Sequence, residues 1–391
     1  MTHFPDNFLW GASTSAHQIE GNNIASDWWH LEQAPGSFVS EPSGDACDSY
    51  HRWREDLALA RDAGLTAYRF SIEWARIEPT PGRFSSAELA YYQEIVSTAI
   101  AYGLTPLVTL HHSTNPAWLA TKGGWANPDA STLFARYCAY IAPALENVRY
   151  ICLINEPNMV ALFPVMSQAG AADFAQKLPA PDPAHTAGLI AGHHAAREAL
   201  RPLLPYAQLG WSIASQTYHP EAGAEELAAE YQRISEDVFY DAAAGDDWVG
   251  VQAYTCRRVK AVAGELLPAP KQNVKRTLTG WEYYPPALEE CVRRVAEYTG
   301  LPIVVTENGI ATPDDADRVA YTTDALKGLH QAIADGIDVR GYFHWSLLDN
   351  YEWGTYAPTF GLVAVDRRTF VRTPKPSLAW LGGVAQANQL N

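Results

Sequence analysis

Two glutamates follow apolar segments of the chain, and together they could cleave a glycosidic bond. Glu156 comes directly after YICLIN, and Glu307 comes directly after PIVVT. Hydrolysis of a glycosidic bond requires two carboxyl groups: one protonates the leaving oxygen, and the other attacks the anomeric carbon or activates water there. Each glutamate taken alone is equally consistent with an ordinary surface residue that opens a loop. Their meaning therefore depends on the elements that position them.

Polar and aromatic residues also occur near the ends of other apolar segments. One such residue means little, but amides, carboxylates and rings at most of these ends favour a pocket that binds a carbohydrate. The 13 Trp and 20 Tyr residues of the chain agree with this interpretation, because flat rings suit sugars as well as core packing. The candidates are Gln18, Glu20, Arg69, His111, His112, Asn155, Tyr254, Asn308 and Trp345.

Short apolar segments alternate with long helical patterns from end to end of the chain. Their near-continuous Val, Ile, Leu and aromatic content is typical of parallel strands that are buried on both faces. The predicted strands are Phe8–Ala12, Ala67–Ile72, Thr105–His111, Tyr150–Asn155, Gln208–Ile213, Trp248–Tyr254, Pro302–Glu307 and Arg340–Ser346. The predicted helices are Arg52–Ala63, Ser86–Tyr102, Ala130–Leu145, Pro183–Leu200, Ala224–Ala243, Pro286–Tyr298 and Asp317–Ala334.

This alternation predicts an α/β fold with eight strands. We expect residues 1–391 to form one (β/α)₈ TIM barrel whose active site lies at the carboxyl ends of the strands. A doubly wound sheet is the alternative, but no glycine-rich fingerprint follows the first predicted strand. Ser85 and Glu88 have the spacing of a capping box, and Gly64 and Gly103 suit left-handed helix ends.

Composition and charge exclude several classes of partner. The 391 residues include 28 Lys plus Arg against 44 Asp plus Glu, a formal net charge of −16. Because such a surface repels phosphate backbones and anionic lipids, we expect neither nucleic acid nor membrane as a partner. The N-terminal MTHFPDNFLWGAS lacks the pattern of a signal peptide, and the five cysteines are scattered. We therefore expect a cytoplasmic protein with reduced thiols.

Adjacent histidines at His111–His112 and at His193–His194 could suggest a metal site. Neighbouring residues on a strand point to opposite faces, however, and neither pair has the spacing of a metal-binding motif. The second pair is better explained as part of a helix. We expect no metal and no cofactor.

Six sequence blocks, in this order, resemble the family 1 glycoside hydrolases. They are FLWGASTSAHQIEG, YRFSIEWARIEP, VTLHH, INEP, VTENG and GYFHWSLLDNYEW, and the resemblance extends from Phe8 to about Pro376. Because each block falls at a predicted barrel strand, the set is far more specific than any single short motif. The resemblance implies a retaining β-glycosidase that acts on terminal, non-reducing β-D-glycosyl residues through a glycosyl-enzyme. β-Glucosides would be its first substrates, before β-galactosides and β-fucosides.

The resemblance also implies roles for individual residues. Glu156 would be the general acid and base, and Glu307 the nucleophile. Related thioglucosidases carry Gln at the position of Glu156, so its presence favours O-glycosides. Arg69 and Tyr254 match the residues that hold the nucleophile and keep it ionised. Asn155 matches the residue that binds the sugar 2-hydroxyl.

The resemblance assigns further residues to the terminal sugar. Gln18 and His112 match residues that bind the 3- and 4-hydroxyls. Glu352 and Trp353 match the pair that contacts the 4- and 6-hydroxyls, and Trp345 would form the stacking floor. Family members that act on 6-phosphosugars replace the acidic residue in the Glu352 block, because a carboxylate repels phosphate. We therefore expect neutral small-molecule β-glycosides or short oligosaccharides as substrates.

The chain departs from the family pattern at several positions. Ser113 stands where the family usually has an aromatic residue, and Gln252 and Ala253 stand where Asn and often Tyr are usual. The segment 159–172 lacks the usual glycine-rich loop, and the chain is shorter than most relatives. The change at Gln252 and Ala253 could alter the support of the nucleophile. The expected catalytic pair is preserved, and acceptor specificity is left open.

Two other functions are compatible with these motifs. A sugar-binding barrel that has lost hydrolysis should lack one of the glutamates, whereas both Glu156 and Glu307 are present. A transglycosylating β-glycosidase would form the same covalent intermediate and differ only in whether water or an acceptor sugar reaches it. The sequence does not distinguish hydrolysis from transfer, and it does not indicate the oligomeric state.

Overall fold

A closed barrel of eight parallel strands forms the centre of the molecule. The computed structural model describes residues 2–168 and 178–390. Each barrel strand pairs with the next in chain order, and the last pairs with the first. The predicted TIM barrel is therefore confirmed, and each predicted strand ends within two residues of an observed one. In chain order the strands are β1 (Leu9–Ser13), β2 (Ala67–Ser71), β3 (Thr105–Thr109), β4 (Tyr150–Asn155), β5 (Gln208–Ala214), β6 (Trp248–Gln252), β7 (Ile303–Asn308) and β8 (Val339–Trp345).

A cluster of apolar side chains from the strands fills the inside of the barrel. A second, larger cluster packs between the outer faces of the strands and the helices. Both faces of each strand are thus covered, which explains the near-continuous apolar segments of the sequence. The interior cluster consists of Leu9, Ala67, Leu107, Tyr150, Cys152, Trp248, Val304 and Phe343.

In the described residues, eight main helices pack around the barrel, and other helical segments lie in the connections. The main helices are α1 (Ser49–Ala63), α2 (Ser86–Ala101), α3 (Ala130–Ile141), α4 (Pro183–Leu200), α5 (Glu225–Gln232), α6 (Ala287–Thr299), α7 (Asp315–Ala334) and α8 (Pro376–Ala387). The other helical segments are Ala16–Ile19, Asp27–Gln33, Trp74–Ile77, Ala117–Ala120, Gly124–Ala126, Ala142–Leu145, Pro157–Gln168, Arg233–Asp237 and Val238–Ala242.

The helix ends follow local sequence signals. The Ser85 hydroxyl accepts a hydrogen bond from the backbone N–H of Glu88 at 3.2 Å and caps α2, but the Ser85 N–H donates to the carbonyl of Ile77, so only half of the predicted capping box forms. Gly64 and Gly103 adopt φ values of 98° and 78°, which confirms the predicted left-handed helix ends. The predicted helix Ala224–Ala243 is interrupted, because Arg233–Asp237 forms a π-helical turn. Sequence analysis missed α8, a helix rich in small residues.

Among the described residues, three small sheets lie outside the barrel. Thr217–Pro220, Cys256–Val262 and Glu265–Pro268 form a three-stranded sheet from the segments that follow β5 and β6. Val363–Val365 pairs with Arg372–Pro374, and Thr2–His3 pairs with Gln389–Leu390. The last pairing joins the two ends of the described chain.

All five cysteines are buried and none is in a disulfide. In residues 2–168 and 178–390, no helix is both long enough and apolar enough to span a bilayer.

Candidate active site

A cavity of about 440 Å³ opens at the carboxyl ends of the barrel strands. Barrel closure brings these ends to one face, so side chains far apart in the sequence meet there. Two predicted site residues, Arg69 and Asn155, are fully buried and contact Glu307 and His112, which line the cavity. The other predicted site residues line the cavity: Gln18, His112, Glu156, Tyr254, Glu307, Trp345, Glu352 and Trp353.

Glu307, near the end of β7, is oriented by three hydrogen-bond donors. Nη1 of Arg69 lies 2.6 Å from Oε1 of Glu307, and Nε2 of Gln252 donates to the same oxygen at 2.8 Å. The Tyr254 hydroxyl donates to Oε2 at 2.6 Å. Because such donors stabilise a carboxylate more than a carboxylic acid, they favour the ionised form of Glu307.

Asn155, the last residue of β4, belongs to the same network. Its side-chain oxygen accepts hydrogen bonds from Arg69 and, at 2.8 Å, from Gln252. Its amide nitrogen lies 3.2 Å from Nε2 of His112. Burial, together with the positive charge of Arg69, holds the pKa of His112 well below its usual range. The imidazole is therefore neutral, and its Nε2 can accept this hydrogen bond.

Glu156 follows β4 in a left-handed backbone conformation. Its φ is 45°, and its N–H donates to the carbonyl of Ser212 in β5 at 2.7 Å. Its carboxyl group lines the cavity. Burial raises the pKa of Glu156 to about 8; the negative charge of Glu307 adds to this rise, and Arg69 opposes it. Glu156 therefore carries a proton at neutral pH.

The surroundings of the two glutamates push their proton affinities apart. Burial raises the pKa of Glu307 above its usual value; the charge of Arg69 and the hydrogen bonds from Tyr254, Arg69 and Gln252 oppose this rise without cancelling it. Only the charge of Arg69 lowers the pKa of Glu156. As the pH rises, Glu307 therefore loses its proton first, while Glu156 remains protonated. One carboxylate beside one carboxylic acid is the arrangement that glycosidic cleavage requires.

A second set of hydrogen-bonding side chains surrounds Glu352. Nε2 of Gln18 donates to the carbonyl of Tyr351 at 2.7 Å and to Oδ1 of Asn350 at 3.0 Å. Nε1 of Trp345 donates to Oε1 of Glu352 at 3.2 Å. Burial raises the pKa of Glu352 well above its usual range, so its carboxyl group can donate as well as accept hydrogen bonds. Gln18, Trp345 and Glu352 thus offer donors and acceptors that can bind adjacent hydroxyls of a neutral sugar.

Nearly parallel rings form one wall of the cavity. The ring of His112 lies 6.0 Å from that of Trp345, at 23°, and 6.3 Å from that of Trp353, at 17°. Outside the wall, His17 stacks on Trp353 at 5.8 Å, and Trp28 meets it edge-on at 5.0 Å. These contacts hold flat aromatic faces in place, and such faces can pack against a pyranose ring.

Sequence analysis connected Gln252 with the support of the nucleophile, as a departure from the family, but did not include it among the site residues. The structure puts its amide nitrogen 2.8 Å from an oxygen of Glu307 and 2.8 Å from the side-chain oxygen of Asn155. The available signal was a polar amide at the end of the apolar strand β6. Ala253 contributes through its backbone, because its carbonyl accepts a hydrogen bond from Asn308 at 2.6 Å.

Two other departures from the family lie close to the site. Ser113 is buried next to His112 and adopts a φ of 67°. Within the unusual segment 159–172, residues 159–168 belong to the helix Pro157–Gln168, and Met159 lines the cavity. Residues 169–172 lie outside the described residues.

Three candidate site residues at strand ends do not line the cavity, because each contacts another residue of the protein instead. Glu20 pairs with Arg76 at 2.8 Å. His111 lies 3.0 Å from the side chain of Asn115, on the face of the chain opposite His112. Asn308 donates to the carbonyl of Ala253 behind the wall.

The second histidine pair lies on α4 as predicted. His193 lies 3.0 Å from Asp246, and Nε2 of His194 lies 3.0 Å from the carbonyl oxygen of Ala242. Across the described ranges, no group of three or more His, Cys, Asp and Glu side chains is arranged to hold a metal ion.

Known proteins resemble this chain over its whole length. The model of glycosyl hydrolase family 1 matches residues 1–246 and 235–390. A 1,4-β-D-glucan glucohydrolase of Thermotoga neapolitana is 30% identical, with 100% of both chains covered. The crystal structure of the β-glycosidase BGL167 has a TM-score of 0.90 and 42% identity, over 98% of this chain and 97% of that one. The structure of a β-glycosidase from Pyrococcus horikoshii has a TM-score of 0.91 and 33% identity, over 100% of this chain and 96% of that one.

Proposed function

The chain belongs to glycosyl hydrolase family 1, and we propose that Glu307 and Glu156 together hydrolyse β-glucosides in the cavity described above. The protein is a retaining β-glycosidase, because double displacement is general for this family. We assign the two roles from the different surroundings of the two carboxyl groups. Glu307 contacts a cation and two neutral donors, whereas the pKa of Glu156 is about 8.

The first step forms a covalent glycosyl-enzyme. The ionised Glu307 attacks the anomeric carbon, and the bond between that carbon and the leaving oxygen breaks. Glu156 transfers its proton to this oxygen, so the aglycone departs as a neutral alcohol or phenol. Arg69 and Tyr254 hold the attacking carboxylate in place during the step.

The second step hydrolyses the glycosyl-enzyme. Esterification removes the negative charge of Glu307, and this charge is one of the two causes that raise the pKa of Glu156. The pKa of Glu156 therefore falls, and its carboxylate can take a proton from the attacking water. Water adds to the anomeric carbon, Glu307 leaves as a carboxylate, and the configuration at that carbon is retained.

Residues around the catalytic pair are suited to bind a neutral terminal sugar. We assign the 2-hydroxyl to Asn155, whose amide position Arg69 and Gln252 fix. Gln18 and His112 bind the 3- and 4-hydroxyls. Two further residues, Glu352 and Trp353, bind the 4- and 6-hydroxyls, and Trp345 supports the sugar ring. β-Galactosides and β-fucosides are secondary substrates in this proposal.

Aryl glycosides test this proposal directly. The wild-type protein should hydrolyse aryl β-glucoside fastest, aryl β-galactoside and β-fucoside more slowly, and 6-phospho-β-glucoside hardly at all. Glu307→Gln should lower turnover by on the order of 10⁴-fold or more, as expected for loss of a covalent nucleophile. Glu156→Gln should retain turnover only with strongly activated leaving groups, which need no proton.

A matched control separates chemistry from stability. Asp56 is a buried carboxylate paired with Arg372 at 2.8 Å, and neither residue lines the cavity. Asp56→Asn should therefore lower stability without lowering kcat in the folded protein.

Turnover confined to the phosphosugar would contradict the role of Glu352. Tight sugar binding without any turnover would identify a sugar-binding barrel instead of an enzyme.

A further inference from the structure

The cavity continues outward from the catalytic pair to a wall that is rich in arginine. This outer wall is formed by the strand Cys256–Val262 and by residues 268–282, which follow it in the chain. Arg257, Arg258 and Arg276 line it, and Glu282 is its acidic residue. The charge of the outer wall therefore depends on how far Glu282 neutralises these three cations.

Glu282 neutralises Arg258 alone. Nε and Nη2 of Arg258 lie 2.9 Å and 2.8 Å from the two carboxylate oxygens of Glu282, a bidentate pair. The hydrogen bonds from Arg258 hold the pKa of Glu282 below its usual range, so the carboxylate is ionised. Both oxygens of Glu282 are thus engaged with the same guanidinium group.

The other two guanidinium groups have no carboxylate partner among the described residues. Arg276 donates to the carbonyls of Gly280 at 2.9 Å and of Lys271 at 3.0 Å. The backbone of Arg276 pairs with that of Glu282, but both carboxylate oxygens of Glu282 bind Arg258, and the carbonyl groups carry no net charge that would neutralise the Arg276 guanidinium. Arg257 is half-buried and forms neither a hydrogen bond nor an ion pair within the described ranges. The outer wall therefore carries two uncompensated positive charges in a chain whose formal net charge is −16.

An aromatic surface connects these charges to the reacting carboxylate. The Tyr254 hydroxyl contacts Glu307, and the Tyr254 ring lies 5.5 Å from the ring of Trp281. Trp281 is 40% exposed and packs 6.2 Å from Phe360. Arg276 binds the carbonyl of Gly280, the residue before Trp281. A leaving group that extends outward from the anomeric carbon thus meets first aromatic rings and then positive charge.

We infer that this outer wall binds an aromatic aglycone that carries a carboxylate. The ring of the aglycone packs on Trp281, and its carboxylate lies toward Arg257 and Arg276. The inference rests on the proposed function, because it describes the leaving-group side of the same cavity. The carboxylate takes no part in bond breaking, and Glu156 still protonates the glycosidic oxygen. Aromatic stacking and charge-assisted hydrogen bonds both favour such a ligand over a neutral alkyl aglycone.

Paired substrates test the inference. We would measure kcat/KM for para-carboxyphenyl β-D-glucoside and for its methyl ester, and compare the ratio of the two between enzymes. The ratio within each enzyme removes differences in folding and active-enzyme concentration. Arg257→Gln and Arg276→Gln should each lower the ratio by about fivefold, as expected for a partly exposed charge contact, and leave the ester unchanged. The wild-type ratio should fall as ionic strength rises toward about 1 M, because salt screens such contacts.

Lys260 provides the matched control. It lies on the same strand as Arg257 but outside the cavity wall, so Lys260→Gln removes one positive charge without removing a contact. This variant should keep the wild-type ratio. Equal ratios in wild type, both arginine variants and the lysine control would overturn the inference while turnover of the ester still supports the proposed function. If neither substrate is hydrolysed, the proposed function itself fails.

Discussion

Removal of the Tyr254 hydroxyl tests how the protein keeps its nucleophile ionised. The hydroxyl donates to Oε2 of Glu307 at 2.6 Å, whereas both Arg69 and Gln252 contact Oε1. Tyr254→Phe therefore leaves Oε2 without its donor and keeps the aromatic ring in place. Because burial holds the pKa of Tyr254 well above its usual range, the phenol is protonated and donates at every pH of interest.

The magnitude follows from the geometry. A bond of 2.6 Å to an ionised carboxylate is short and charge-assisted, and such bonds contribute about 1.5–3 kcal/mol. Since one pKa unit corresponds to about 1.4 kcal/mol, the variant should raise the pKa of Glu307 by about 1–2 units. Among the hydrogen bonds that lower the pKa of Glu307, that of Tyr254 has the largest effect.

The assay is the pH dependence of kcat/KM for an aryl β-glucoside. Activity requires the Glu307 carboxylate, so it is lost as pH falls through the pKa of this group in the free enzyme. A raised pKa moves this acid limb to higher pH in Tyr254→Phe. At the pH optimum we expect an additional loss of about tenfold, because a less firmly oriented nucleophile reacts more slowly.

Tyr137→Phe is the matched control. Its buried hydroxyl donates to the backbone carbonyls of Ile72 and Leu110 at 3.2 Å and 3.0 Å, away from Glu307. It should leave the acid limb in place. If Tyr254→Phe also leaves the limb in place, or moves it to lower pH, the argument that this hydroxyl keeps the carboxylate ionised is wrong.

Three further changes test the chemistry and the packing. In wild type, kcat/KM for glucosides with poor leaving groups should fall as pH rises through about 8, because Glu156 then loses its proton. A strongly activated aryl glucoside, which needs no proton and is the kind of substrate that Glu156→Gln still hydrolyses, should show no basic limb in this variant. Gln252→Met, which keeps the length of the side chain but removes its donor, should lower kcat/KM by about tenfold in steady-state assays. In α8, a Cβ on Gly382 would lie 1.8 Å from the Ala63 carbonyl oxygen, whereas one on Gly383 would meet open space. The free energy of unfolding, measured in urea, should therefore be about 3 kcal/mol lower than that of wild type in Gly382→Ala. In Gly383→Ala it should be about 0.5–1 kcal/mol higher. The reverse order would contradict this packing.

The architecture could be predicted from local patterns. Parallel barrel strands are buried on both faces, so each appears in the sequence as a short apolar segment, and all eight were identified. Capping signals such as Ser85 also act over a few residues and were identified. The interrupted helix after Ala224 and the missed α8 depend on packing against other elements, which local patterns do not report.

The sequence by itself determined the barrel, the family and the candidate carboxyl pair, because apolar segments and ordered motifs are written in consecutive residues. Only the tertiary structure decided what surrounds each carboxyl group. Arg69 and Glu307 lie 238 residues apart in the chain, yet they form one ion pair. Gln252 reaches both Glu307 and Asn155, and the unpaired charge of Arg257 becomes evident only from the cavity wall. Burial and distance set proton affinity and charge balance, and both arise only when the barrel closes.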